Sequence, residues 1–178
     1  MSSPAVSHSH NFDIAAGDSR HYTEEVIKGR PPRLAPIFQT YDAPLFFVTA
    51  CTLYRKPFPS LASACDAFVV YATRAHSFNV AVGRYVIMPD HLHLFVSGEQ
   101  AFVLAEWMKG LKRAISNAFA ATEECLKWQP GFFDHLLRND ESYGEKWNYV
   151  RENPVRAELV TNAEDWPYQG ETVYIDRA

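Results

Sequence analysis

Two histidines, His91 and His93, are the residues of this sequence best spaced for metal chemistry. In an extended strand, residues i and i+2 point to the same face. Both imidazoles would then stand side by side, with the apolar Leu92 turned into the core. Such a pair clamps a divalent ion once a third ligand is added and coordination positions stay open. The bland alternative is two histidines on a solvated strand face; the apolar run around them (Leu92, Leu94, Phe95, Val96) argues for the metal. Tyr149 and Asn153 form a second constellation, one helical turn apart and so on one helix face. A phenol is a poor nucleophile at neutral pH because its unperturbed pKa is about 10. It becomes competent near a cation or a base. Asn153 offers a carbonyl oxygen that completes a metal shell. Their alternatives are a half-buried amphipathic tyrosine and an asparagine that ends a helix before Pro154. Lys109, Lys112 and Arg113 share one side of a long helix, where they can track a phosphate backbone or simply form a solvated face. His135 is either a further ligand or a hydrogen-bonded structural histidine.

The elements that must position these groups can be read from periodicity. Residues 44–53 are short, aromatic and β-branched, as a buried strand is. Pro57 and Pro59 stop it, and Ser60 can cap a helix over 61–76. A strand over 78–88 follows, with Pro89-Asp90 as a turn. Residues 91–96 alternate strictly and form its antiparallel partner, ended by Ser97-Gly98. Residues 101–120 make the strongest helix, with Leu104, Trp107, Met108, Leu111, Ile115 and Ala118 as its apolar stripe. Residues 128–137 read as extended. Asp140 or Ser142 can start a last helix that carries Tyr149 and ends near Asn153, because Pro154 disfavours a helical residue before it. From Trp166 onward the tail reads as irregular docking. This order predicts an α+β, ferredoxin-like split βαβ fold: an antiparallel sheet with both helices on one face, plus a C-terminal catalytic helix. Residues 1–30 are expected to be a flexible extension, and 31–178 a single domain.

The chain has 178 residues, 47% hydrophobic and 14% aromatic, enough for one compact core. Its longest apolar run, 43–51, is too short to span a bilayer. The first thirty residues lack the features of a secretory signal, so the cytosol is the expected compartment. Cys51, Cys65 and Cys125 fit no metal-binding pattern and read as free thiols. The net charge of −4 does not suggest nucleic acid. Binding phosphate needs a local basic surface, however, and bases gather at 28–33 and 109–113 while acids gather at 123–124 and 134–145.

Taken together, these pieces resemble the single-tyrosine HUH transposases, specifically the REP-associated tyrosine transposases. Residues 88–94 (Met-Pro-Asp-His-Leu-His-Leu) look like the family's histidine signature. Residues 149–157 (Tyr-Val-Arg-Glu-Asn-Pro-Val-Arg-Ala), with Leu159-Val160, resemble its tyrosine helix. Weaker matches lie at 132–138 and 47–49, and the likeness runs from about 30 to 166 in the family's order. The resemblance implies a ferredoxin-like fold, Mg²⁺ or Mn²⁺, and a single-stranded DNA substrate containing hairpins (REP-like or transposon-end sequences). It also implies cleavage and rejoining through a 5′-phosphotyrosine, with Tyr149 as nucleophile, His91, His93 and Asn153 on the metal, and Lys109, Lys112 and Arg113 on the DNA backbone. The insertion-sequence branch has glutamine where this chain has Asn153, a shorter amide. The protein is expected to act as a monomer or homodimer away from membranes. The leading alternative is a DNA-hairpin-binding protein of the same fold that does not cut. Further rivals are a metal hydrolase using bound water and a relaxase or replication initiator.

Overall fold

The computed structural model describes residues 43–99, 101–122, 125–137 and 143–175. The expected extension over 1–30 and the start of the last helix at Asp140 or Ser142 lie outside the described residues.

The first strand forms as β1 (Leu45–Cys51), and its buried Val48 and Ala50 join the main core. Ser60 then caps α1 (Leu61–Ala75), accepting from the Ser63 amide at 3.2 Å. A cap of this kind stabilises a helix by about 1 kcal/mol. Ala64, Phe68, Ala72 and Ala75 form the buried stripe of α1. Its end tightens into a 3₁₀ turn over His76–Phe78 that finishes in the left-handed Asn79. The second strand therefore starts two residues later than expected, as β2 (Val80–Met88), and turns into β3 (His91–Gly98). The long helix is α2 (Leu104–Asn117), shorter at both ends than its sequence pattern. The amide of Ala118 bonds back to Ile115 and Ser116, and the tightened turn buries Phe119 and leaves Ala118 exposed. Of the extended stretch over 128–137, only β4 (Phe133–Leu137) is a strand; Trp128 makes a lone bridge to Thr52.

Together with a fifth strand, β5 (Gln169–Glu171), the strands form one sheet in the order β4-β1-β3-β2-β5, with every neighbouring pair antiparallel. The first four follow the split βαβ arrangement. The side chains of α1 and α2 pack with Val48, Leu92, Leu94 and Val96 on one face of the sheet. His91 and His93 alternate with Leu92 and Leu94, so they emerge on the other face.

An irregularity in β2 decides what surrounds them. The pairing with β3 shifts register between Val82 and Tyr85. Val80 and Val82 face the helices before it, and Tyr85 and Ile87 after it. One residue of slip exchanges the two faces of a strand. The bulge thus delivers Val86 and Met88 to the histidine face, directly across from His93 and His91.

That face is covered by the C-terminal part of the chain. The last helix forms in two pieces, α3 (Tyr143–Arg151) and the short α4 (Asn153–Arg156), with Pro154 in the first turn of the second. Proline is well suited to a first helical turn, where its missing N–H has no partner to lose. The tail corrects the expectation of irregular docking. It adds β5 to the edge of β2, and Trp166 is buried with its Nε1 donating to the Ile87 carbonyl at 3.0 Å.

Candidate active site

The histidine pair stands on its own strand with the two rings edge to face, centroids 4.8 Å apart. Each ring is held at Nδ1. His91 Nδ1 lies 2.6 Å from Asp90 Oδ1, and His93 Nδ1 lies 2.8 Å from the hydroxyl of Thr49, its cross-strand partner on β1. The Asp90 carboxylate only accepts, which puts the His91 proton on Nδ1. With the Thr49 hydroxyl accepting from His93 in the same way, each Nε2 is left as a lone pair of fixed direction, as a metal ligand requires. Phe47 stacks on His93 at 5.5 Å and 15°, closing the ring's other side. Burial lowers the pKa of both histidines. For His93 the neighbouring His91, Arg55 and Arg156 add to it and bring the value to about 3; for His91 the Asp90 carboxylate opposes it. Both imidazoles are therefore neutral near pH 7.

The turn after β1 (Leu53–Arg55), which is bonded to Asp90, is held under strain. Tyr54 and Arg55 both have φ of 57°, a left-handed backbone that costs a non-glycine residue about 1–2 kcal/mol. Two sets of contacts offset it. Arg55 Nε pairs with Asp90 Oδ2 at 2.8 Å. The Thr52 amide donates to the Asp90 carbonyl at 2.9 Å, and its buried hydroxyl lies within reach of that carbonyl and of the Lys56 carbonyl. Asp90 therefore links His91 to a braced turn.

Tyr149 sits on α3, which lies on the histidine face. The adjacent Val150 is buried with Val86 and Met88, the cross-strand neighbours of the two histidines. Lys146, one turn earlier, holds its ammonium 5.6 Å from the centre of the Phe47 ring. Tyr149 itself is 66% exposed. Arg156 of α4 reaches back over it: the guanidinium lies 4.2 Å from the ring centre, and Nη2 donates to the Tyr149 carbonyl at 2.6 Å. The same nitrogen donates to Asn153 Oδ1. The amide oxygen expected on a metal is thus engaged by Arg156, and the helix break at Glu152 separates it from the regular i,i+4 geometry. Among the described residues, no group of three or more His, Cys, Asp and Glu side chains could hold a metal. The histidines fit a divalent ion as two neutral, oriented ligands, and the rest of its shell must come from other donors.

The basic trio does not join this site. Helix α2 covers the opposite face of the sheet. Lys109 is exposed and lies 3.7 Å from Glu106, and Arg113 is exposed. Lys112 turns inward. Its ammonium donates to the carbonyls of Gln129 (3.1 Å) and Gly131 and sits 5.6 Å from the Trp128 ring, fixing the loop before β4. His135 is exposed on β4 across from Phe47, two strands from the histidine pair.

Residues 46–152 match the family model described as "Transposase IS200 like". The chain belongs to this family. The matched span includes His91, His93 and Tyr149 and stops one residue before Asn153. A REP-associated tyrosine transposase of Escherichia coli (strain K12) is 32% identical over 93 residues, covering 49% of this chain and 52% of that protein. A Haemophilus influenzae relative is 28% identical over 94 residues, covering 46% of this chain and 53% of its own. The chain thus spans about half the length of the curated relatives it matches. Its fold is similar to that of a REP-associated tyrosine transposase solved bound to a REP hairpin. The TM-score is 0.58 at 20% identity, over 71% of this chain and 75% of that one.

Several residues around the histidines were not singled out from sequence. Asp90 was read as a turn residue and as part of the histidine signature, with no role of its own, although its place next to His91 was a usable signal. Thr49 needed the strand register to be found. Arg156, three residues after Asn153, was marked only as part of a family motif.

Proposed function

We propose that this transposase-family chain cuts and rejoins single-stranded, hairpin-containing DNA by a tyrosine mechanism of the HUH type. The observation that carries this reading is the pair of neutral histidines, each fixed at Nδ1, on a sheet face that packs against the helix bearing Tyr149. The solved relative's REP hairpin supports a DNA hairpin as the substrate class. His91 and His93, with Asn153 as third ligand, would hold Mg²⁺ or Mn²⁺, which would supply Lewis-acid charge at the scissile phosphate. Asn153 reaches that role by sharing or releasing its bond from Arg156.

The chain's own contribution is positioning. Tyr149 Oη attacks phosphorus in line with the departing 3′-oxygen. The P–Oη bond forms as the P–O3′ bond breaks, and the phenolic proton ends on the 3′-oxygen. One strand then carries a 5′-phosphate ester to Tyr149 and the other a free 3′-hydroxyl. A 3′-hydroxyl from another strand reverses the step and joins DNA without a nucleoside triphosphate. Lys109 and Arg113, both exposed, contact backbone phosphates away from the cut, whereas Lys112 serves the fold.

The test is incubation with Mn²⁺ and labelled hairpin DNA from beside the gene, then denaturing electrophoresis. A shifted protein–DNA band that is lost with Tyr149→Phe or chelator is expected. Arg156 on the Asn153 oxygen favours a second reading, hairpin binding without cleavage. Tight binding with no adduct, across several flanking sequences and metals, would select it.

A further inference from the structure

Among the described residues, the hydrogen bonds and the ring contact of the Arg156 guanidinium all go to residues the proposed reaction uses. The guanidinium lies on the Tyr149 ring and donates to the Tyr149 carbonyl and to Asn153 Oδ1. Capping the end of α3 explains the carbonyl bond, since last-turn carbonyls lack intrahelical partners. A cap needs one nitrogen, and both hydrogen bonds come from Nη2. Among the described residues, neither Nε nor Nη1 has an acceptor. A planar fork with open donors therefore stands against the ring of the nucleophile. Its charge is also felt at His93, so the cation lies within electrostatic reach of the metal clamp.

We infer that Arg156 binds a non-bridging oxygen of the scissile phosphate while its face holds the Tyr149 ring, acting as a second, non-metal cation at the reacting phosphorus. The chemistry is that of a guanidinium–phosphate pair, in which open N–H donors match phosphate oxygens. Attack by Tyr149 then brings the phosphorus to the cation already stacked on the attacking ring. The inference rests on the tyrosine reaction proposed above.

The experiment uses the full chain, Mn²⁺ and the oligonucleotide that the unsubstituted protein cuts. That oligonucleotide is made with oxygen, or with either phosphorothioate diastereomer, at the scissile phosphate. Arg156→Gln should slow cleavage by about 100-fold or more, the scale for losing one transition-state donor, with hairpin affinity nearly unchanged. Arg156→Lys should recover part of the rate, because it restores charge without the fork. One diastereomer should slow the unsubstituted protein, resist rescue by Cd²⁺ and have no further effect in Arg156→Gln. If Arg156 only caps the helix, losses of rate and of melting temperature will run in parallel, and both diastereomers will act on Arg156→Gln as on the unsubstituted protein. That result overturns the inference. A normal rate in Arg156→Gln, with Tyr149→Phe inactive, sinks it while leaving the tyrosine reaction intact. Absence of any adduct from the unsubstituted protein removes the reaction and this inference with it.

Discussion

Asp90→Ala should weaken divalent-metal binding 10- to 100-fold, on the order of what loss of a partner behind a metal-bound histidine costs. The geometry supports that magnitude independently. The carboxylate of Asp90 accepts from His91 Nδ1 at 2.6 Å, and the histidine side chain is only 14% exposed. A hydrogen bond to a charged group contributes about 1.5–3 kcal/mol, and a 10- to 100-fold change in affinity corresponds to about 1.4–2.7 kcal/mol. The two ranges coincide, so the single bond accounts for the effect. The Arg55–Asp90 pair adds less, because the Arg55 side chain is 49% exposed and exposed pairs are worth at most about 1 kcal/mol. Asp90→Asn keeps an acceptor without the charge and should fall between the two. Calorimetric titration with Mn²⁺ measures the affinities, and thermal melts with and without Mn²⁺ separate metal loss from unfolding. A folded Asp90→Ala protein that binds Mn²⁺ as tightly as the unsubstituted one would refute the claim that Asp90 orients His91.

Lys112→Met should cost about 1–3 kcal/mol of stability, because its two loop carbonyls lose a charged donor. It should leave the salt dependence of hairpin binding unchanged, whereas Lys109→Ala or Arg113→Ala should reduce that slope by about one if either touches phosphate. Urea denaturation and binding at several salt concentrations check both, and a reduced slope for Lys112→Met would contradict its structural role. Burial pushes the Cys65 thiol up from 9.0 to about 11, with its hydrogen bond to Tyr85 opposing. The folded state thus binds a proton more tightly than the unfolded one. The associated stability is complete below pH 9 and is lost as pH rises toward 11. Alkaline melts should be flatter for Cys65→Ala over that window, and at pH 8 a thiol reagent should modify the exposed Cys125 well before Cys65.

What could be read from the sequence followed from local periodicity. The alternation across His91–Val96 put both histidines on one face, and the same alternation survives in β3 because its pairing with β1 is regular throughout and its pairing with β2 is regular over His91–Leu94. The helix stripe of Met108, Leu111 and Ile115 was legible for the same reason. The misses are non-local. Lys112 shares a helix side with Lys109 and Arg113, but a long side chain ends wherever an acceptor lies, and its acceptors come from a loop 17–19 residues away. Three residues of β5 carry no pattern of their own and become a strand only because the β2 edge offers unpaired backbone groups. Pro154 correctly marked a boundary. It did not reveal that the chain would resume a helix at once, and that resumption is what turns Arg156 back toward Tyr149.

The same geometry bears on the acidic net charge. Over distances beyond a Debye length, about 8 Å at physiological ionic strength, exposed charges are largely screened. The field at the histidine face is therefore set by near neighbours. Arg55 is matched by Asp90 and Arg84 by Glu171, so each is partly cancelled. Lys146 and Arg156 instead rest on the rings of Phe47 and Tyr149. An aromatic face holds a cation in place through its quadrupole without bringing a formal negative charge. These two cations are positioned without a carboxylate partner among the described residues, as the proposed phosphate site requires. A chain with a net charge of −4 can in this way present a cationic site, because what attracts a phosphate is how its nearest cations are held, not the sum over the sequence.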